Sequence, residues 1–128
     1  MTEATKVLVL VEDEADMRLF VRLALSRDPR LEILGEASTA EEAIELAATL
    51  DPGLIILDHG LDGVLTGLAA APLLKAAAPR AKILLFTAYD MAAEARAEPA
   101  IDGFLRKDEL GRLLPVVRQL LELDPTPA

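Results

Sequence analysis

Cysteine is absent from this sequence of 128 residues. That removes disulfide frameworks, thiolate zinc sites, iron–sulfur clusters and thiol nucleophiles together. Histidine occurs once, at position 59, and no Ser-His-Asp spacing accompanies it, which argues against triad chemistry. Cationic residues are scarce: 13 Lys and Arg face 22 Asp and Glu, a formal net charge of −9. Neutralising nucleic-acid phosphates needs a clustered surplus of Lys and Arg, so neither nucleic acid nor anionic lipid suits this chain. The N-terminal stretch offers only the five apolar residues Val7–Val11, too few for a signal peptide or a membrane helix. A soluble, cytoplasmic domain is the expectation that remains.

What is present fits that expectation. Hydrophobic residues make up 52 % of the chain and charged ones 27 %, too apolar for disorder and too charged for a membrane span. The length suits one hydrophobic core and not two. Val7–Val11, Leu54–Leu57 and Ile83–Phe86 are continuous apolar runs, as strands buried on both faces require. Leu31–Ala37 alternates in part and reads as a strand nearer a sheet edge, and Ile101–Leu105 is a weaker fifth candidate. Between them the apolar period becomes helical. Met17, Phe20, Val21, Ala24 and Leu25 place one apolar face on residues 14–27. Thr39 and Glu42 form a capping box that opens a helix with Ala43, Ile44 and Ala47 inward, ending before Pro52.

Residues 66–78 form a further Leu- and Ala-rich helix stopped by Pro79, with Pro72 inside it marking a late start or a kink. Residues 92–97 allow only a short helix before Pro99. Leu110, Leu113, Leu114, Val117, Leu120 and Leu121 supply the stripe of a last helix, in which Pro115 is tolerable if the helix begins near Gly111. The terminal residues 124–128 should fray. Five strands alternating with five helices imply βαβ units, hence a doubly wound α/β domain with a parallel sheet and helices on both faces.

Ligands of an open parallel sheet bind beyond the carboxyl ends of its strands. Glu12, Asp13 and Glu14 follow the first apolar run, Asp58, His59 and Gly60 the third, Thr87 and Ala88 the fourth, and Arg106 and Lys107 the fifth. Three carboxylates at one edge repel one another, and a hard divalent cation such as Mg²⁺ relieves that conflict. Asp58 can then act as a nucleophile toward a phosphoryl group held by the cation, Thr87 and Lys107. Each residue also has a plainer reading. The acidic triplet can be a solvated helix N-terminus, Asp58 an N-cap, Lys107 a surface charge, Thr87 a strand-end hydroxyl bonding its own backbone, and Phe104 a packing residue. His59 reads as a loop residue beside the site and Phe86 as core.

The runs Lys-Val-Leu-Val-Leu-Val-Glu12-Asp13-Glu14, Leu-Ile-Ile-Leu-Asp58, Ile-Leu-Leu-Phe-Thr87-Ala88 and Asp-Gly-Phe104-Leu-Arg-Lys107, in this order, resemble the receiver domain of bacterial two-component response regulators. The resemblance covers residues 6–122, with 1–5 and 123–128 left as tails. It implies a five-stranded flavodoxin-like sheet of order 2-1-3-4-5. It further implies that Asp58 is the phosphoacceptor, that Asp13 ligates Mg²⁺ directly and Glu12 through water, and that the Gly60 carbonyl is the backbone ligand. Thr87 takes the place of the switch hydroxyl, Lys107 that of the conserved ammonium, and Phe104 that of the rotating switch aromatic. The expected donor is a sensor histidine kinase or a histidine phosphotransfer protein. Because the resemblance fills the chain, output is expected through a downstream protein target, with a homodimer through the helix 4–strand 5–helix 5 face as a further expectation. Such a domain promotes its own phosphorylation and dephosphorylation but is a signalling module, not a metabolic enzyme.

Three departures qualify the match. Asp62 stands where the family has Pro, in a loop one residue longer than usual; Asp108 follows Lys107 where Pro is common; and the Thr87–Lys107 interval is short by about two residues, so the fourth helix should be short or irregular. Gly60 and Tyr89, each two residues past a key position, bear on water access to an acyl phosphate in opposite senses. The competing readings are a pseudo-receiver that binds proteins without taking phosphate, an aspartate-nucleophile phosphatase, and a flavin binder. Gly60 in place of a second carboxylate disfavours the phosphatase, and the acidic residues after Val11 disfavour the flavin binder.

Overall fold

The computed structural model describes residues 6–125; the proposed tail 1–5 and the last three residues of the proposed C-terminal tail lie outside them. The elements run β1 (Lys6–Val11), α1 (Ala15–Leu25), β2 (Leu31–Ala37), α2 (Ala40–Leu50), β3 (Leu54–Leu57), α3 (Gly67–Ala77), β4 (Lys82–Thr87), α4 (Ala92–Ala97), β5 (Gly103–Arg106), a 3-10 helix (Lys107–Arg112) and α5 (Leu113–Leu120). The five strands form one sheet of order β2-β1-β3-β4-β5, and every pairing is parallel.

The continuous apolar runs end up in the middle of the sheet because alternate residues feed two separate cores. Val9, Val11, Ile55, Leu57, Ile83 and Leu85 face α2, α3 and α4, while Leu8, Leu10, Leu54, Ile56, Leu84 and Phe86 face α1 and α5. Ala40, Ala43, Ala47, Ala70 and Ala71 are fully buried, so α2 and α3 press closely on the first face. Thr39 caps α2 through a hydrogen bond from the Glu42 N–H, and Thr66 caps α3 in the same way from Ala69 N–H. β2 lies at an edge, with a register shift opposite Leu8 and Val9 that leaves Leu34 outside the pairing and half exposed.

Three expectations need correction. Phe20 is 46 % exposed; α1 turns only Val21 and Leu25 fully inward, with Met17 and Ala24 packed against them. The fifth strand is Gly103–Arg106 rather than Ile101–Leu105: just ahead of it the Asp102 N–H still donates to the Ile83 carbonyl (2.8 Å), but the Ile83 N–H donates to the Asp102 carboxylate (2.9 Å) instead of a backbone carbonyl. α3 begins at Gly67 and continues through Pro72, so Pro72 does not delay its start. α4 is six residues long, as its spacing predicts. Pro115 falls in the first turn of α5, where amides have no intrahelical partner anyway.

Candidate phosphoryl site

Parallel pairing brings the carboxyl ends of all five strands to one edge, and the chemistry gathers there. Glu12 and Asp13 leave β1, with Glu12 N–H held by the Ala37 carbonyl of β2 (2.9 Å). Asp58 follows β3, its N–H bonded to the Val11 carbonyl (3.0 Å). One carboxylate oxygen from each of Glu12, Asp13 and Asp58 can be chosen so that all three lie within 4.8 Å of one another. Lys107 reaches into this cluster from beyond β5. Its Nζ lies 2.7 Å from Glu12 Oε1 and 2.9 Å from Asp58 Oδ2, with Glu14 farther off at 3.9 Å.

Glu12 is 1 % exposed and Asp58 5 %. Burial pushes the Glu12 carboxyl up to about 7, helped by the charge of Asp58 and only partly opposed by its hydrogen bond from Lys107. Burial alone would lower the Lys107 pKa, but its hydrogen bonds to Glu12 and Asp58 outweigh it and the net shift is upward. One ammonium therefore serves two buried carboxylates beside a third, Asp13. A small divalent cation fits this donor set, since it supplies the missing positive charge to hard oxygen ligands.

Thr87 ends β4, is fully buried, and its Oγ1 has no hydrogen-bond partner among the described residues. Gly60 lies exposed in the β3–α3 loop, where a Cβ would sit 3.4 Å from the Tyr89 ring. Phe104 pairs with Leu85 in the β4–β5 register and packs, half buried, against the α2–α4 core rather than inside the acidic pocket. His59 shapes the loop: its N–H donates to Asp58 Oδ1 (2.7 Å), its carbonyl accepts from Gly67 N–H (3.0 Å), and its ring meets Tyr89 edge-on at 6.0 Å. The β3–α3 loop contains a parallel bridge between Asp62 and Thr39 and a turn at Gly63 with φ +92°. Asp62 consequently lines a polar groove with Asp13, Arg18, Glu36, Ser38 and Glu42, beside the three-carboxylate cluster and outside it.

Two contributors are not evident in the sequence. Arg18 of α1 donates to the Glu12 carbonyl (2.7 Å) and pairs with Glu36 of β2 (3.3 Å), where Arg22 joins it. This fixes the backbone of the acidic pair from outside the pocket. Gly67 comes so close to Asp58 that a Cβ there would lie 2.0 Å from the Asp58 carbonyl oxygen. Only the spacing of Gly67 from Asp58 hints at the second, and nothing local signals the first.

The site is the strand-end edge of a doubly wound α/β domain, where a parallel sheet holds three carboxylates, a buried hydroxyl and one lysine. The comparisons with known proteins place it more closely: the response regulator receiver domain matches residues 8–118, and the chain belongs to that family. It is 36 % identical over 111 residues to the nitrate/nitrite response regulator protein NarP of Escherichia coli, covering 84 % of this chain and 51 % of that protein. Identity to the NarL protein of the same organism is 32 % over 103 residues, covering 79 % and 47 %. The chain thus spans about half the length of these relatives. Among solved structures, a LuxR-family two-component response regulator from Aurantimonas superposes with a TM-score of 0.84 at 25 % identity, covering 93 % of this chain and 86 % of that one. The receiver domain of a NarL regulator from Mycobacterium tuberculosis gives 0.83 at 24 %, covering 94 % and 98 %. Among the described residues no helix is long and apolar enough to cross a membrane.

Proposed function

We propose that this receiver domain is a phosphorylation switch with Asp58 as its acceptor. An Asp58 carboxylate oxygen forms a bond to the phosphorus of a phosphohistidine on a kinase or phosphotransfer protein, the N–P bond breaks, and the imidazole keeps the electron pair and takes a proton. Glu12, Asp13 and Asp58, with the Gly60 carbonyl, are the residues that would hold Mg²⁺. Bound there, the ion would neutralise phosphoryl oxygens during transfer. Lys107, bonded to both Asp58 and Glu12, is positioned to pass to a phosphoryl oxygen without leaving the pocket. Thr87 offers a hydroxyl with no competing partner among the described residues. Phe104 then relays the change toward α4 and β5, where a groove lined by Ala92, Ala95, Arg96, Ile101 and Phe104 is the surface for a downstream protein or a second copy. The domain works in the cytoplasm and has no metabolic substrate.

The observation that carries this reading is the shared hydrogen bonding of Lys107 to Glu12 and Asp58 across three strand ends. Incubation with Mg²⁺ and acetyl phosphate should add one phosphoryl mass, labile to hydroxylamine and absent in Asp58→Asn. No adduct from either acetyl phosphate or a histidine donor would leave a protein-binding module that takes no phosphate, a reading the longer, Asp62-bearing loop favours.

A further inference from the structure

Two buried side-chain polar atoms lack any hydrogen-bond partner among the described residues: Thr87 Oγ1 and Arg106 Nε. They belong to residues paired directly across the β4–β5 ladder. In a parallel pair, register partners point to the same face. The neighbouring pairs bear this out, since Leu85 and Phe104 both meet the α2–α4 core while Phe86 and Leu105 both meet the opposite one. Thr87 and Arg106 therefore lie side by side on the face that also carries Phe104. Their chemistry is complementary, because a guanidinium Nε–H can only donate and a hydroxyl oxygen can accept while its own proton is donated elsewhere. A buried donor and a buried acceptor left open as neighbours are costly to keep apart unless another state joins them.

The remaining contacts of Arg106 lead away from the site. Its Nη2 pairs with Asp108 (3.2 Å), and its backbone N–H donates to Glu109 Oε1 (3.4 Å). Both acceptors belong to the 3-10 helix that leads into α5.

We propose that Arg106 is a positioning residue of the switch. When the Thr87 hydroxyl donates a hydrogen bond to a phosphoryl oxygen on Asp58, Arg106 Nε–H donates to Thr87 Oγ1. That bond holds the hydroxyl in its phosphoryl-facing orientation and draws the guanidinium away from Asp108. The phosphorylation state then reaches the 3-10 helix and α5 by a polar route separate from Phe104. The inference rests on the proposed phosphorylation of Asp58.

The test uses the full chain labelled with ¹⁵N at arginine Nε, with Mg²⁺ and acetyl phosphate as donor and mass spectrometry as an independent measure of the adduct. The Arg106 Nε–H resonance, assigned by its disappearance in Arg106→Lys, should move downfield and exchange more slowly with water as the adduct forms. Thr87→Ser should keep the shift and Thr87→Val should lose it. An adduct with an unmoved resonance, or the same movement in Thr87→Val, overturns the proposal and leaves the phosphorylation reading standing. Failure to form any adduct removes that reading, and this one with it. If Thr87→Val fails to fold or to take phosphate, the Thr87 methyl resonance decides. It should differ between phosphorylated wild type and phosphorylated Arg106→Lys, and identity of the two overturns the proposal.

Discussion

At the scale of single residues, the geometry of Asp58 depends on groups that carry no chemistry. Gly67 opens α3 directly against the Asp58 carbonyl, and a methyl group there would sit 2.0 Å from that oxygen, inside any tolerable contact. Backbone atoms must move to admit it. Gly67→Ala should therefore cost about 2 kcal/mol in urea unfolding, in the range of an overpacked core, and should slow phosphorylation of Asp58 at the same time. Asp28 plays a different part at the opposite edge of the sheet. Fully buried, its carboxylate accepts from Arg30 N–H (3.0 Å), Arg30 Nε (3.0 Å), Arg30 Nη2 (2.8 Å) and Arg118 Nε (2.9 Å), which ties the α1–β2 turn to α5. The Arg30 hydrogen bonds, with a smaller contribution from Arg118, overcome burial and hold the carboxyl well below the usual range. A depressed folded-state pKa adds stability above the unfolded value, near about 3.9, and loses it as pH falls through the folded one. Asp28→Asn should cost about 3 kcal/mol at pH 7, as loss of one partner from a buried ion pair does. The gap between wild type and variant should narrow steadily below about pH 4 in a series of urea melts; a gap independent of pH would contradict the assignment.

At the scale of elements, α3 contains an avoidable defect. Pro72 stands at an exposed position in its middle, where the helix needs the N–H that proline lacks. Substituting Ala restores that bond and the better helix propensity without opening a cavity, against a smaller penalty from a freer unfolded chain. Pro72→Ala should thus raise stability by about 1 kcal/mol, read as a higher urea midpoint with unchanged slope. The central strands were legible because burial on both faces demands unbroken apolar runs, and the short α4 because Pro99 closes it. Phe20 and the start of β5 were not. One helical turn of ambiguity in α1 decides whether Phe20 faces the sheet or water, and just before β5 the Ile83 N–H donates to the Asp102 carboxylate, a long-range bond that no local pattern encodes.

At the scale of the whole molecule, the parallel topology converts sequence order into a site. Glu12, Asp58, Thr87 and Lys107 could be ranked as candidates because each ends or follows a strand and every strand of such a sheet ends at the same edge. The Arg18–Glu36 support and the pairing of Thr87 with Arg106 needed the sheet register and the seating of α1, which apolar periodicity does not supply. The same convergence makes the folded chain a different cation binder from the unfolded one. Unfolded, the carboxylates of residues 12, 13 and 58 are dispersed; folded, their oxygens lie within 4.8 Å, and Glu12 and Asp58 share one ammonium, in a protein of net charge −9. A ligand that binds only the folded state stabilises it by mass action, by about 2.7 kcal/mol at a hundred times its dissociation constant. Mg²⁺ should accordingly raise the thermal midpoint in a concentration-dependent way at constant ionic strength, and Asp13→Asn should abolish most of that rise. An equal rise in wild type and variant would mean that the ion acts only by screening the acidic surface, and the cluster would then be a charge concentration without a bound metal.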